Sequence, residues 1–226
     1  MNDVQSFTRR EILNPLRADL WRIEAGMVRA TTWLCDGSLT TLGFWGAGDT
    51  IDNALFRSEN YELECLTAVR ASPLIIGSRT ELVMGAHIQQ LQELLIIRSH
   101  KRIEDMLLRL LTWLGDRFGN WEETGLTLRF PLTHQDLAET LSTTRVTITR
   151  SLGHLEDRGL IRRLPKCQMF IDRSAYVPDA APHRLFECLP PAADLDLPIL
   201  RNRQLSTSSS RLWALLSTTV WLCGHY

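Results

Sequence analysis

The chain has 226 residues, of which 44% are hydrophobic and 23% charged, and its net charge is −1. That is the make-up of an ordinary globular chain, long enough for one or two domains with a sizeable core. A balance so close to neutral excludes a polycation, so any nucleic-acid footprint has to be local.

From about residue 20 to residue 76 the pattern is that of strands. The run Trp21-Arg-Ile-Glu-Ala-Gly-Met-Val-Arg29 alternates loosely, Asp36-Gly37 is a hairpin turn signal, and Gly43, Gly46 and Gly48 punctuate short apolar pieces. A small antiparallel roll is expected. From Arg79 to Arg117 the period becomes helical: Leu82, Ala86, Leu91, Leu94 and Leu95, then Ile103, Met106, Leu107, Leu110, Leu111 and Leu114, recur at three- and four-residue steps. Leu94 to Ile97 is uninterrupted apolar sequence, so one helix face is free to cover the roll while another meets a second chain. A core helix of a single chain is the alternative. Ser99-His100-Lys101 reads as the hinge between domains. Trp113 and Trp121 are expected in core or hinge packing.

Leu126-Thr-Leu-Arg-Phe-Pro131 alternates and predicts a short strand. Next come two amphipathic helices joined by a polar turn, within residues 132–161. Thr133 with Asp136 three positions later is a capping pair for the first, whose apolar stripe is Leu137, Ala138 and Leu141. Ser142-Thr143-Thr144 interrupts, Thr144 or Thr143 caps the second helix from about Arg145, and Gly159 stops it. On a helical wheel Ile148, Leu152 and Leu155 form the buried stripe, and Arg145, Val146, Thr149 and Arg150 face the other way. Arginine forks onto guanine and valine meets a thymine methyl, so these four residues are the candidate base readers. The sequence 160–171 reads as two short strands around Pro165-Lys166, a wing whose Arg162 and Lys166 are candidate phosphate contacts. The layout is that of a winged helix-turn-helix on double-stranded DNA.

On these residues the segment resembles the DNA-binding domain of the cyclic-AMP receptor protein / fumarate-nitrate reduction regulator (Crp/Fnr) family. Thr133-His-Gln-Asp-Leu-Ala138 is similar to its first helix and Thr144-Arg-Val-Thr-Ile-Thr-Arg150 to its second, in the form found in cyanobacterial global nitrogen regulators. The resemblance implies that Arg145, Val146 and Arg150 read base edges and that Thr133, Gln135, Thr144 and Thr147 lie towards phosphates. It also implies a homodimer on a palindromic site, a parallel pairing of the long helices, and RNA polymerase as a partner. The stretches Phe44-Trp-Gly-Ala-Gly-Asp49 and Leu66-Thr-Ala-Val69 are similar to the family's sensory roll. That roll usually begins earlier, so its opening strands are expected to be missing. The cyclic-nucleotide cassette is also absent: Asp52-Asn-Ala54 stands where Gly-Glu-Leu belongs, and Arg57-Ser58-Glu59 is out of place. Cyclic-AMP binding is therefore not expected. Nor is 2-oxoglutarate binding, since Met106 takes the place of the nitrogen regulators' arginine.

The fold expected is α+β: a truncated, cyclic-nucleotide-binding-like roll over 1–78, a long dimerisation helix over 79–99, a winged helix-turn-helix over 100–173, and a Pro/Ser-rich, poorly ordered tail over 174–226. Cys35, Cys65, Cys167, Cys188 and Cys223 show no metal-ligand spacing and no disulfide framework, so no metal and no cofactor are expected. Asp3, Arg9, Arg10 and Glu11 are unlike a signal peptide, and no apolar run reaches about 18 residues, which points to the cytoplasm and away from a membrane. No phosphate loop, nucleophile elbow or zinc-protease pair suggests an enzyme or a catalytic residue. A protein-docking adaptor that uses the winged domain is the alternative function.

Overall fold

In the computed structural model, which describes residues 4–13, 20–52, 61–74, 80–165 and 168–176, the loosely alternating stretch 21–29 is divided between two strands. Gly26 between them takes φ +89°, and a side chain there would collide with the carbonyl of Ala68. Only glycine turns so tightly at that point. Two short strands that alternation does not disclose come first, Gln5–Phe7 (β1) and Ile12–Leu13 (β2). Leu20–Ala25 (β3), Met27–Trp33 (β4), Leu39–Gly46 (β5), Thr50–Asp52 (β6), Tyr61–Cys65 (β7) and Val69–Leu74 (β8) complete the roll. They form two antiparallel sheets, β1-β8-β3-β6 and β2-β7-β4-β5, and the Asp36-Gly37 turn joins β4 to β5 as expected. Trp21, Ile23, Val28, Ile51 and Leu63, from both sheets, are fully buried together. The departures from the cyclic-nucleotide cassette at Asn53, Ala54 and 57–59 lie outside the described residues, as do Lys166, Cys167, Cys188, Cys223 and the tail from 177 onward.

Thr80–Arg98 (α1) carries two stripes, one buried and one exposed. His87, Gln90, Leu94 and Ile97 are buried, and Met84, Ile88, Leu91 and Leu95 are exposed. The inner stripe covers β5 and β6. Buried polar groups on this side of the helix reach partners: His87 Nε2 lies 3.1 Å from the Thr50 carbonyl, Gln90 accepts from the backbone N–H of Phe44, and Glu93 accepts from the indole N–H of Trp113. A second core begins under α1 with Leu94 and Ile97. It runs through Leu107, Leu110, Leu111, Trp113 and Leu114 of Ile103–Phe118 (α2) into the remaining domain.

That domain contains Asn120–Glu122 (β9), Gly125–Leu128 (β10), His134–Thr140 (α3), Arg145–Asp157 (α4), Ile161–Leu164 (β11) and Gln168–Asp172 (β12), with the sheet order β11-β12-β10-β9. Gly115 on α2 lets that helix close on β10, since a side chain there would strike Leu126. Trp113 is buried, and Trp121 is half-exposed with its ring edge on Tyr176.

The roll and α3 are joined by charge. Arg29 on β4, its side chain 4% exposed, meets Glu64 at 2.7 Å, Asp136 at 3.2 Å and Glu139 at 2.8 Å. Arg10 adds contacts to Glu64 at 2.5 Å and Asp136 at 3.1 Å. Beside them Arg98, at the end of α1, donates to the carbonyls of Thr140 at 2.7 Å and Thr41 at 2.6 Å. Buried charges require this degree of partnering, because each pays a desolvation cost of several kcal/mol.

Candidate nucleic-acid interface

Local chemistry sets both helices. Thr133 accepts from the Asp136 N–H at 3.1 Å and Asp136 accepts from the Thr133 N–H at 2.8 Å, the reciprocal capping box the spacing predicted. Thr144 accepts from the Thr147 N–H at 3.1 Å, so it is the cap of α4. After the helix, Gly159 adopts φ +71° and the chain turns into the wing.

The two sides of α4 differ sharply. Ile148, Leu152 and Leu155 are fully buried, whereas Arg145, Val146, Thr149 and Arg150 are exposed, Val146 to 69%. Arg145 and Arg150 meet no carboxylate among the described residues, so both guanidiniums remain available to an outside group. Thr149 is less free. Its hydroxyl donates to the Arg145 carbonyl at 2.9 Å, and the oxygen lies 2.8 Å from Nδ1 of His134.

The expected phosphate contacts separate into groups. Thr133, half-buried, and Gln135, exposed, stand at the start of α3, where Gln135 donates to Glu139 at 2.9 Å. Thr144 is exposed and shares a 2.9 Å hydroxyl contact with Thr147. On β11 the alternation of a strand divides two adjacent arginines. Arg162 stacks over Phe170 at 4.8 Å. Arg163 instead lines a groove of about 610 Å³ with Thr133, His134, Gln135 and Arg145. Arg163 pairs with Glu156 and holds that carboxyl below its ordinary range. The structure thus brings Arg163, one of several wing cations in the sequence, to the side of Arg145 and turns Arg162 to the other side of the wing. Strand parity relative to Ile161, the core-facing residue of β11, is the signal that would have separated the two. His134, not among the expected site residues, stands in the same groove. Its ring is held below the ordinary histidine value first by burial and then by Arg163 and Arg145.

A capped two-helix unit, an exposed arginine face and a wing on a β-roll make this a winged helix-turn-helix DNA-binding transcription regulator. Residues 101–175 match the family model described as the Crp-like helix-turn-helix domain. The chain is 42% identical over 161 residues to the regulatory protein CysR of Synechococcus elongatus, covering 65% of this chain and 77% of that protein. It belongs to the Crp/Fnr family. Over 78 residues it is 33% identical to the global nitrogen regulator of the same organism, 34% of this chain and 35% of the relative. Among solved structures, a CRP-family transcriptional regulator of Thermus thermophilus shares the fold with a TM-score of 0.61 at 20% identity, covering 74% of this chain and 91% of that one. No described helix is long and apolar enough to cross a membrane.

Proposed function

We propose that the chain acts as a homodimer on a two-fold symmetric DNA site, each protomer presenting α4 to the major groove of one half-site. The division of α4 into a buried apolar stripe and an exposed Arg145–Val146–Thr149–Arg150 face carries this reading. The two arginines read guanine edges and Val146 meets a thymine methyl. Thr149, whose hydroxyl both donates and accepts within the protein, offers a base its methyl group. Thr133, Gln135, Thr144 and Thr147, at the starts of the two helices, take phosphates, and Arg163 joins them. Arg162 and Lys166 extend the contact along the wing.

Dimerisation is supported by the outer stripe of α1. Met84, Ile88, Leu91 and Leu95 follow each other at four-, three- and four-residue steps and are all exposed, the pattern of a two-stranded coiled-coil seam. One reader helix alone also covers too little DNA for tight specific binding. In this reading the roll over 1–78 and the helix over 79–99 hold the reader domain over 100–173, and the family resemblance adds RNA polymerase as a partner. Selection from a random-sequence duplex pool, with sedimentation of the purified protein, tests the proposal. The expected result is a dimer and an inverted repeat with half-sites about 10 base pairs apart. A monomer, or a site without two-fold symmetry, overturns it.

A further inference from the structure

We propose that His134 is a proton-linked phosphate contact: Thr149 holds its ring on the DNA face, and it enters the interface as a donor only when Nε2 carries a proton. The inference rests on the DNA-reading face described above and adds a regulation of that face by pH.

One tautomer satisfies both contacts of the Thr149 hydroxyl at once. The Thr149 hydroxyl has one proton and directs it to the Arg145 carbonyl at 2.9 Å. Its oxygen therefore accepts from Nδ1–H of His134 at 2.8 Å. In the neutral ring the second nitrogen, Nε2, is then a bare lone pair. His134 lines the groove that also holds Thr133, Gln135, Arg145 and Arg163. A lone pair among these donors repels a phosphate oxygen, and an N–H⁺ there binds one.

The charged groups around the ring act in opposite senses. Arg145 on α4 and Arg163 on β11 disfavour a charge on the ring, and Glu156 on α4 favours it but is paired with Arg163. Burial and the two arginines hold the free ring below the ordinary histidine value. A DNA phosphate supplies the anion that the site lacks, so the ring's pKa is higher in the complex than in the free protein, and binding takes up a proton. The sign follows: affinity is greatest below the free-state pKa and falls as pH rises through the bound-state pKa. A one-unit difference between the two pKa values is about a tenfold change in affinity per protomer. The extra phosphate contact also steepens the salt dependence by about 0.9 per protomer at acid pH.

The test measures binding of full-length protein to a mixed-sequence DNA duplex across pH and salt, for wild type, His134→Gln and His134→Arg. His134→Gln keeps a donor for Thr149 and removes the titration, and His134→Arg keeps a permanent charge. Wild type is expected to bind more tightly at acid pH with a steeper salt slope, and both variants to lose that pH dependence while the arginine variant keeps the steep slope. Subtracting the glutamine variant removes the contribution of the other histidines. A pH slope in His134→Gln equal to that of wild type overturns the proposal. So does an imidazole pKa, read by NMR on labelled histidine, that does not rise on adding DNA. Failure of every protein to bind at any pH would instead overturn the DNA-reading face itself.

Discussion

The guanidinium of Arg29 in the roll and the carboxylate of Asp136 in the reader domain lie 3.2 Å apart, with their side chains only 4% and 1% exposed. Asp136 also completes the capping box of α3 by accepting from the Thr133 N–H, so one carboxylate both secures the first turn of the reader unit and fastens it to the roll. Replacing Arg29 with methionine takes from Glu139 the cation it meets and leaves Glu64 and Asp136 with Arg10 alone. Such a change costs about 3–5 kcal/mol. Urea unfolding is expected to show it as a lower midpoint, and adding Glu139→Gln to the variant should recover part of the loss. A midpoint unchanged by Arg29→Met would mean that the pairing does not hold the domains.

Base reading by α4 is tested at Arg145. Removing its guanidinium by Arg145→Ala is expected to cost about 1–3 kcal/mol on the selected site and to relax base choice at one position. Competition binding against single-base variants of the site measures both effects. Equal discrimination by wild type and variant would argue against a base contact.

The two wing arginines make a paired experiment. Arg163→Ala is expected to weaken binding to all sequences alike and to lower the salt slope by about 0.9 per protomer. Arg162→Ala, which removes a side chain stacked on Phe170, should lower it less. Titrations at several salt concentrations distinguish the two, and the reverse order would place the phosphate on the Phe170 side of the wing.

Dimerisation is tested on α1. Leu95, 69% exposed in the protomer, leaves the surface only if a second helix covers it. Leu95→Asp is expected to shift the sedimenting species from dimer to monomer and to lower DNA affinity with it, while thermal unfolding of the protomer changes little. Unaltered association would exclude this stripe as the seam.

Loss of a cap gives a smaller effect. Thr144→Ala removes the acceptor for the Thr147 N–H and is expected to destabilise α4 by about 1 kcal/mol, seen as a modest fall in melting temperature.

Local chemistry is legible in the residues themselves. The reciprocal cap at Thr133 and Asp136, the cap at Thr144, the stop at Gly159 and the opposed stripes of α4 follow from 3.6-residue periodicity and the hydrogen-bonding habits of short polar side chains. The turn at Asp36-Gly37 and the break after Arg98 follow in the same way. The strands β1 and β2 do not, because two or three residues are too few to show an alternation, and their partners β8 and β7 lie far along the chain.

What the sequence by itself determined, then, is the reader unit: its helices, their ends and the side of α4 that stays in water, since each depends on neighbours within a turn or two. Only the tertiary structure decided that Arg29 closes on Asp136, that Arg163 rather than Arg162 stands beside Arg145, and that His134 holds the Thr149 hydroxyl. Each of these depends on which elements meet and at what register, and residues that come together from distant parts of the chain leave no periodic trace in it.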